Sequence, residues 1–343
     1  MPTRVELAAE RLKQAHAKAL GSLEAAVAQV TSTRRDAEAA AKAALERAIA
    51  IARNRSAQQV SQHSGAVRDL GVQLVANSGG ALAAADFIAI GTLSLPGAQS
   101  GVNGEVVAPC VLPLLGRGNI VADIPAAAGQ ALIRHVVREA YTGTAPGQLD
   151  VIGYDPLLSG LFSPFASIKT ASESALTVLN RPKELAETVD RLVGDVQRVN
   201  DLLRGTSDDL LAYREHTGHP VERLQLVVML DAPEGLDASI YRQVLSLSKV
   251  GPAAGVSFVW LTTASEQSPD WWNRSDVEQT AQLISDAARD VRWKAHPEFS
   301  LALAKPDAVE IVAASDKVAA DIASASAPSV PFERIQDISS RWT

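Results

Sequence analysis

Apolar positions in the first quarter of the chain recur with a three-four rhythm, and no proline interrupts residues 3–75. Leu23, Val27, Val30, Ala37, Ala41, Ala44, Ala48 and Ile51 fall on one heptad-like stripe, with Arg34 between Val30 and Ala37. This spacing predicts one long helix or a helical hairpin. Its length, without end caps, points to packing against another helix. A hairpin folded on itself or on the body, and a dimer, satisfy the stripe equally. Alanine seams let helices approach closely but bury little area.

Asn77-Ser-Gly-Gly80 breaks this pattern, and short, nearly continuous apolar runs then alternate with helical spacing. The runs predict strands over 86–95, 118–123, 149–154, 224–230, 255–262 and 308–313. Helical spacing covers 129–141, 182–215, 239–250, 277–291 and 316–324. Residues 96–104 read as a turn-rich loop and 157–180 as irregular. Apolar strands alternating with helices imply a mostly parallel sheet covered on both faces. The expected architecture is a three-layer α/β domain over 84–315, preceded by a helical coiled-coil arm over 1–78. Residues 316–343 are expected to hold a helix, a linker at 323–331 and, from Phe332 to Trp342, the approach to a further domain, so that the natural chain continues.

Composition sharpens this picture. Apolar residues make up 47% of the 343 and aromatics 4%, so the core is mostly aliphatic. A net charge of −7 argues against a nucleic-acid binder that uses its whole surface. Residues 1–60 nevertheless hold ten Lys/Arg against six Asp/Glu, whereas the remainder holds 22 against 33. The single cysteine, Cys110, excludes an internal disulfide framework and fits a reducing compartment. It lies in the apolar run Val106–Leu115, whose ten residues fall short of the roughly 20 needed to span a bilayer. The charged, amphipathic N-terminus is not a secretion signal. A cytoplasmic protein without a membrane segment is expected.

The candidate chemistry begins at the strand 118–123. A loop, Ile124–Gly129, and a helix from Gln130 are expected to follow it, the context of a phosphate-binding P-loop, G-x-x-x-x-G-K-[ST]. Here Ile124 replaces the first glycine, Gln130 the lysine and Ala131 the Ser/Thr. Gly129 and the helix N-terminus remain, while Pro125 removes one N–H donor. A working loop combines backbone N–H groups, a lysine charge and a hydroxyl on Mg²⁺. No tight grip on Mg-ATP is expected from these residues.

Asp231 closes the apolar strand 224–230, as a Walker-B aspartate does; its neighbour is Ala232, with Glu234 two positions further. Asp231 and Glu234 are the candidate catalytic carboxylates, and a strand-end or helix-capping aspartate is the plain alternative. Thr262 and Thr263 end their strand where a γ-phosphate sensor would stand. His216 and His219 read as a turn rather than a metal pair, and no metal site is expected. Trp271-Trp272 reads as a surface lid or interface patch.

In this order the features resemble the FtsK/SpoIIIE family of hexameric DNA-translocating ATPases, in particular an early, degenerate motor domain of its multi-domain members. Besides the strand and helix from Gly118, the matching pieces are Ala145–Pro156, similar to the family's strand ending in Asp-Pro-Lys, then Leu226–Asp231 and Gly255–Thr263. The resemblance spans about residues 85–265. It implies a RecA-like P-loop NTPase fold, with Gly129, Gln130, Ala131, Asp155 and Thr262 at the nucleotide positions. It also implies oligomeric assembly with an active motor domain, and DNA reached through the complex. The departures are Gln130, Ala131, Leu157 at the Asp-Pro-Lys lysine, and Ala232 at the Walker-B glutamate. They imply a non-hydrolysing scaffold without cofactor. Two alternatives stay open: a divergent DNA-dependent ATPase using ATP with Mg through Asp231 and Glu234, and a regulatory protein-interaction module without DNA contact.

Overall fold

The structure is a computed structural model that describes residues 4–76, 82–95, 106–171, 175–262, 268–287 and 290–326. The expected break at 77–80, the loop at 96–104, Thr263, and the linker end and tail beyond 326 lie outside them. The chain divides into two units, residues 1–62 with 96–104, and residues 63–95 with 105–343.

The first unit carries most of α1 (Arg4–Ala76), a single helix with no hairpin turn. Every side chain described in it, between Arg4 and Arg55, is exposed. Continuity follows from the alanine content and the absence of proline and of any glycine pair within residues 4–76.

The second unit is built on a seven-stranded sheet of order β5-β4-β6-β7-β3-β8-β9. Its strands are β3 (Ile120–Asp123), β4 (Leu149–Tyr154), β5 (Leu176–Leu179), β6 (Leu224–Ala232), β7 (Val256–Thr262), β8 (Gln282–Ala287) and β9 (Asp290–Trp293). All pairings are parallel except that of β8 with β9. Every residue of β6 and β7 is buried, as central strands covered on both faces require. The helices are α2 (Ala126–Thr142), α3 (Ala166–Ala171), α4 (Pro182–Leu203), α5 (Leu210–Thr217), α6 (Ala238–Val250), α7 (Arg274–Glu278) and α8 (Ala308–Ser326). The expected three-layer, mostly parallel α/β architecture is present.

A buried asparagine ties this sheet together. Asn119 donates through Nδ2 to the carbonyls of Ser248 (2.7 Å) and Thr280 (2.9 Å), and its Oδ1 accepts from Phe258 N (2.8 Å). Its own carbonyl accepts from Gln282 N at 2.9 Å. One polar side chain thus joins the start of β3 to β7, the end of α6 and the approach to β8.

Five local expectations need correction. Residues 86–95 do form a strand, β1 (Phe87–Leu95), but in a separate antiparallel sheet of order β10-β1-β2. The proline-containing run supplies its partner β2 (Val106–Pro113); β2 lies at the edge, where the missing N–H groups of Pro109 and Pro113 cost no ladder bonds. The other edge is β10 (Ser300–Leu303). The helix expected over 182–215 is two, because Gly205 turns left-handed (φ 79°) and Asp209 caps α5 by accepting from Ala212 N. The helix expected over 277–291 is the short α7 followed by the β8–β9 hairpin, since pairing with β3 overrides local spacing. The strand expected over 308–313 is the first part of α8, which Asp307 starts by accepting from Val309 N. Residues 157–180, expected to be irregular, contain α3 and β5.

Candidate functional site

Because β3, β4, β6 and β7 run parallel, their C-terminal ends lie along one edge of the sheet. Asp123, Asp155, Asp231 and Thr262 all stand there, and α2 begins there. β7 separates the strand leading into α2 from the strand that ends at Asp231.

The turn from β3 into α2 departs from the expected loop. Only Ile124 and Pro125 separate the two elements, and the helix has already started at Ala126. Three consecutive alanines favour helix, and proline with φ −52° suits the position just before it. Gly129 is therefore inside the first helical turn, and its N–H donates to Pro125 O at 2.9 Å. A Cβ at Gly129 would meet Leu261 Cδ1 at 2.3 Å, so the glycine allows α2 to press against β7. Gln130 and Ala131 follow as half-buried helical residues.

Thr262 ends β7 beside β3, and its hydroxyl lies 3.4 Å from Asp123 Oδ1 and 3.5 Å from Ala122 O. Asp123 also takes an ion pair from Arg274 Nη2. Arg274 pairs in turn with Glu278 (2.8 Å), which accepts from Lys294 as well (3.1 Å). Burial works against the Glu278 charge, yet Lys294 and Arg274 outweigh it and hold that carboxyl below the usual range. Sequence reasoning missed this network. Asp123 was visible as a strand-end acid, but Arg274 lies 151 residues away and no spacing signals their meeting.

On the other side of Thr262 stand the carboxylates. Asp155 is buried and closes its own turn: Oδ1 accepts from Ser159 N (2.9 Å) and Oδ2 from Ser159 Oγ (3.0 Å). Asp231 is also buried, at a bulge in the β6–β7 pairing, with φ +53° in the left-handed region. Aspartate is among the few non-glycine residues that adopt this conformation. Its carboxyl is pushed above the usual carboxylate range by burial first, then by the charges of Asp155 and Glu234. Glu234 follows in a tight turn, its N–H donating to Asp231 O at 2.8 Å. Tyr154 OH bridges to Gly235 O (2.8 Å), and burial and Glu234 push the phenol up to about 12. The structure thus brings Asp155 and Glu234 into electrostatic range of Asp231. Arg274 is engaged with Asp123 and Glu278, and Arg134 on α2 donates to Leu161 O at 3.3 Å, in the loop that follows Asp155.

Elsewhere, Gly218 ends α5 in the left-handed conformation (φ 72°), so His216 and His219 flank a helix end, and no metal-holding cluster is found among the described residues. Trp271 and Trp272 are half-buried against Tyr241, with Trp272 also near Trp260. Among the described residues no helix is long and apolar enough to cross a membrane.

No protein-family model and no curated protein matches this sequence. Solved structures do. EssC from Geobacillus thermodenitrificans, in its segment of ATPases 2 and 3, superposes with a TM-score of 0.52 and 11% identity, over 71% of this chain and 50% of that one. Thermomonospora curvata EccC, ATPases 2 and 3 in complex with a signal sequence peptide, gives 0.50 and 12%, over 69% and 47%. The chain spans about half the length of either. At such identities the likeness is one of fold alone: the chain shares the mostly parallel α/β fold of these ATPase domains, the fold class that the sequence resemblance implied.

Proposed function

We propose that this chain is a non-hydrolysing, structural counterpart of an FtsK/SpoIIIE-like ATPase module, which supports the assembly of an active motor and the positioning of its substrate. The observation that carries this reading is the β3–α2 turn. A phosphate cradle needs several free backbone N–H groups curled around an anion. Here two residues join strand to helix, and Pro125 O occupies the Gly129 N–H. Gln130 supplies no charge, and Ala131 no hydroxyl for Mg²⁺. Asp155, Asp231 and Glu234 add negative potential at this edge, which disfavours a polyphosphate. The acidic balance beyond residue 60 favours a protein surface over direct grip on DNA. The EccC structure of the same fold holds a signal sequence peptide, so a peptide is one partner class to test.

Titration of a fluorescent ATP analogue with Mg²⁺ into the purified chain, with and without DNA, tests the proposal. Absence of binding at millimolar nucleotide is the expected result. Micromolar binding overturns it and revives the divergent ATPase, in which Asp231 and Glu234 act on water. Turnover abolished by Asp231→Asn would then assign the catalytic carboxylate.

A further inference from the structure

The apolar stripe of α1 is uncovered over more than four heptads. Leu23, Val27 and Val30 are 62%, 57% and 67% exposed, and Ala41, Ala44 and Ala48 are exposed on the same face. The stripe is not uniform: Leu23, Val27 and Val30 precede Arg34, whereas the four positions that follow it, Ala37 to Ala48, are small before Ile51 ends the stripe. Two copies side by side in parallel would stack Leu and Val layers in one half and Ala layers in the other. The first needs helices farther apart than the second, because the separation follows the side chains at the contact. Parallel pairing would also set Arg34 against Arg34 in one layer.

Antiparallel pairing removes both conflicts. With Arg34 opposite Ala37 of the second copy, Val30 meets Ala41, Val27 meets Ala44 and Leu23 meets Ala48, while Leu20 meets Ile51 at each end. The layers from Arg34–Ala37 out to Leu23–Ala48 each join a larger residue to an alanine, so one helix separation serves them, and a Leu20–Ile51 layer closes each end. The Arg34–Glu38 pair, 2.7 Å apart within one helix, lies at the centre of this register. It places the Glu38 of the second copy about one residue along the seam from Arg34, so opposite charges alternate where parallel pairing sets like charges together. We infer that α1 is a homodimerisation arm, an antiparallel two-helix coil with its dyad between Arg35 and Asp36. A polar residue at one core position fixes this register, as such residues do in other coiled coils.

Nitroxide labels on full-length Ser22→Cys and Arg35→Cys variants test the inference by dipolar distance measurement. Cys110 is buried and burial raises its thiol to about 12, so labelling goes to the introduced cysteine. At a rise of about 1.5 Å per residue, the antiparallel coil separates the two Ser22 labels by about 40 Å and brings the two Arg35 labels to within about 15 Å. Light scattering should give twice the chain mass of 36.1 kDa. Val27→Glu with Val30→Glu, on an exposed face, should give a folded monomer. Short distances at both positions would mean a parallel pair. A monomeric wild type, or a dimer untouched by the double change, also overturns the inference.

Discussion

Gly129 and Leu261 are in such close apposition that a single methyl group does not fit between α2 and β7: a Cβ on Gly129 would lie 2.3 Å from Leu261 Cδ1. The one glycine of the P-loop pattern that survives is thus a packing residue within a helix. Gly129→Ala gains helix propensity of about 1 kcal/mol. Displacing a buried leucine costs about 1–3 kcal/mol. Net destabilisation is expected in urea unfolding. A double-mutant cycle with Leu261→Ala should show the Gly129→Ala cost relieved once the leucine is gone; additive costs would mean that the contact is not the cause.

Restoring the missing groups should not restore the site. Gln130→Lys with Ala131→Thr returns the charge and the hydroxyl, but the Ala126–Ala128 turn stays helical. Calorimetric titration with Mg-ATP is expected to show no micromolar binding. Binding at that level would mean that the turn opens readily, and that side chains rather than backbone are limiting.

Asp231 is a charge held where a charge is disfavoured. Its pKa is raised in the folded state, so folding binds protons and stability falls as pH rises from the ordinary carboxylate range through the raised value. Asp231→Asn removes the charge and keeps a residue that tolerates φ +53°. The variant should melt a few degrees higher at pH 7–8, on the order of 1 kcal/mol. The gain should shrink below about pH 4, where the wild-type carboxyl is protonated. Thermal melts across pH measure both, and a pH-independent difference would remove the electrostatic explanation.

Asn119 is expected to be the costliest polar position in the sheet. Asn119→Leu leaves Phe258 N and the carbonyls of Ser248 and Thr280 without their partner. Each unsatisfied buried group costs about 1–3 kcal/mol, so a loss above about 3 kcal/mol is expected in urea unfolding. Asn119→Asp keeps the acceptor for Phe258 N but loses both donors, and should also be strongly destabilising.

The arm and the central sheet were legible because their signals are local and strong. A proline-free, alanine-rich run over 3–75 determines a helix, and strands as apolar as Leu224–Leu230 and Val256–Leu261 can only be central. The loss of the lysine and hydroxyl at Gln130 and Ala131 was equally plain, since it needs only residue identities. Tertiary structure decided the rest. Residues 282–287 became a strand because β3 offers an unpaired edge, and 106–113 became one because an edge position tolerates proline. Asp123 and Arg274 meet only because two distant segments end on the same side of the sheet. Residues 126–129 of the expected loop became helix, with Gly129 packed on Leu261 and its N–H taken by Pro125 O, a result that the glycine's place in a motif could not reveal. Local propensity is written in neighbouring residues, whereas a site's geometry depends on which distant strand ends the sheet order brings together.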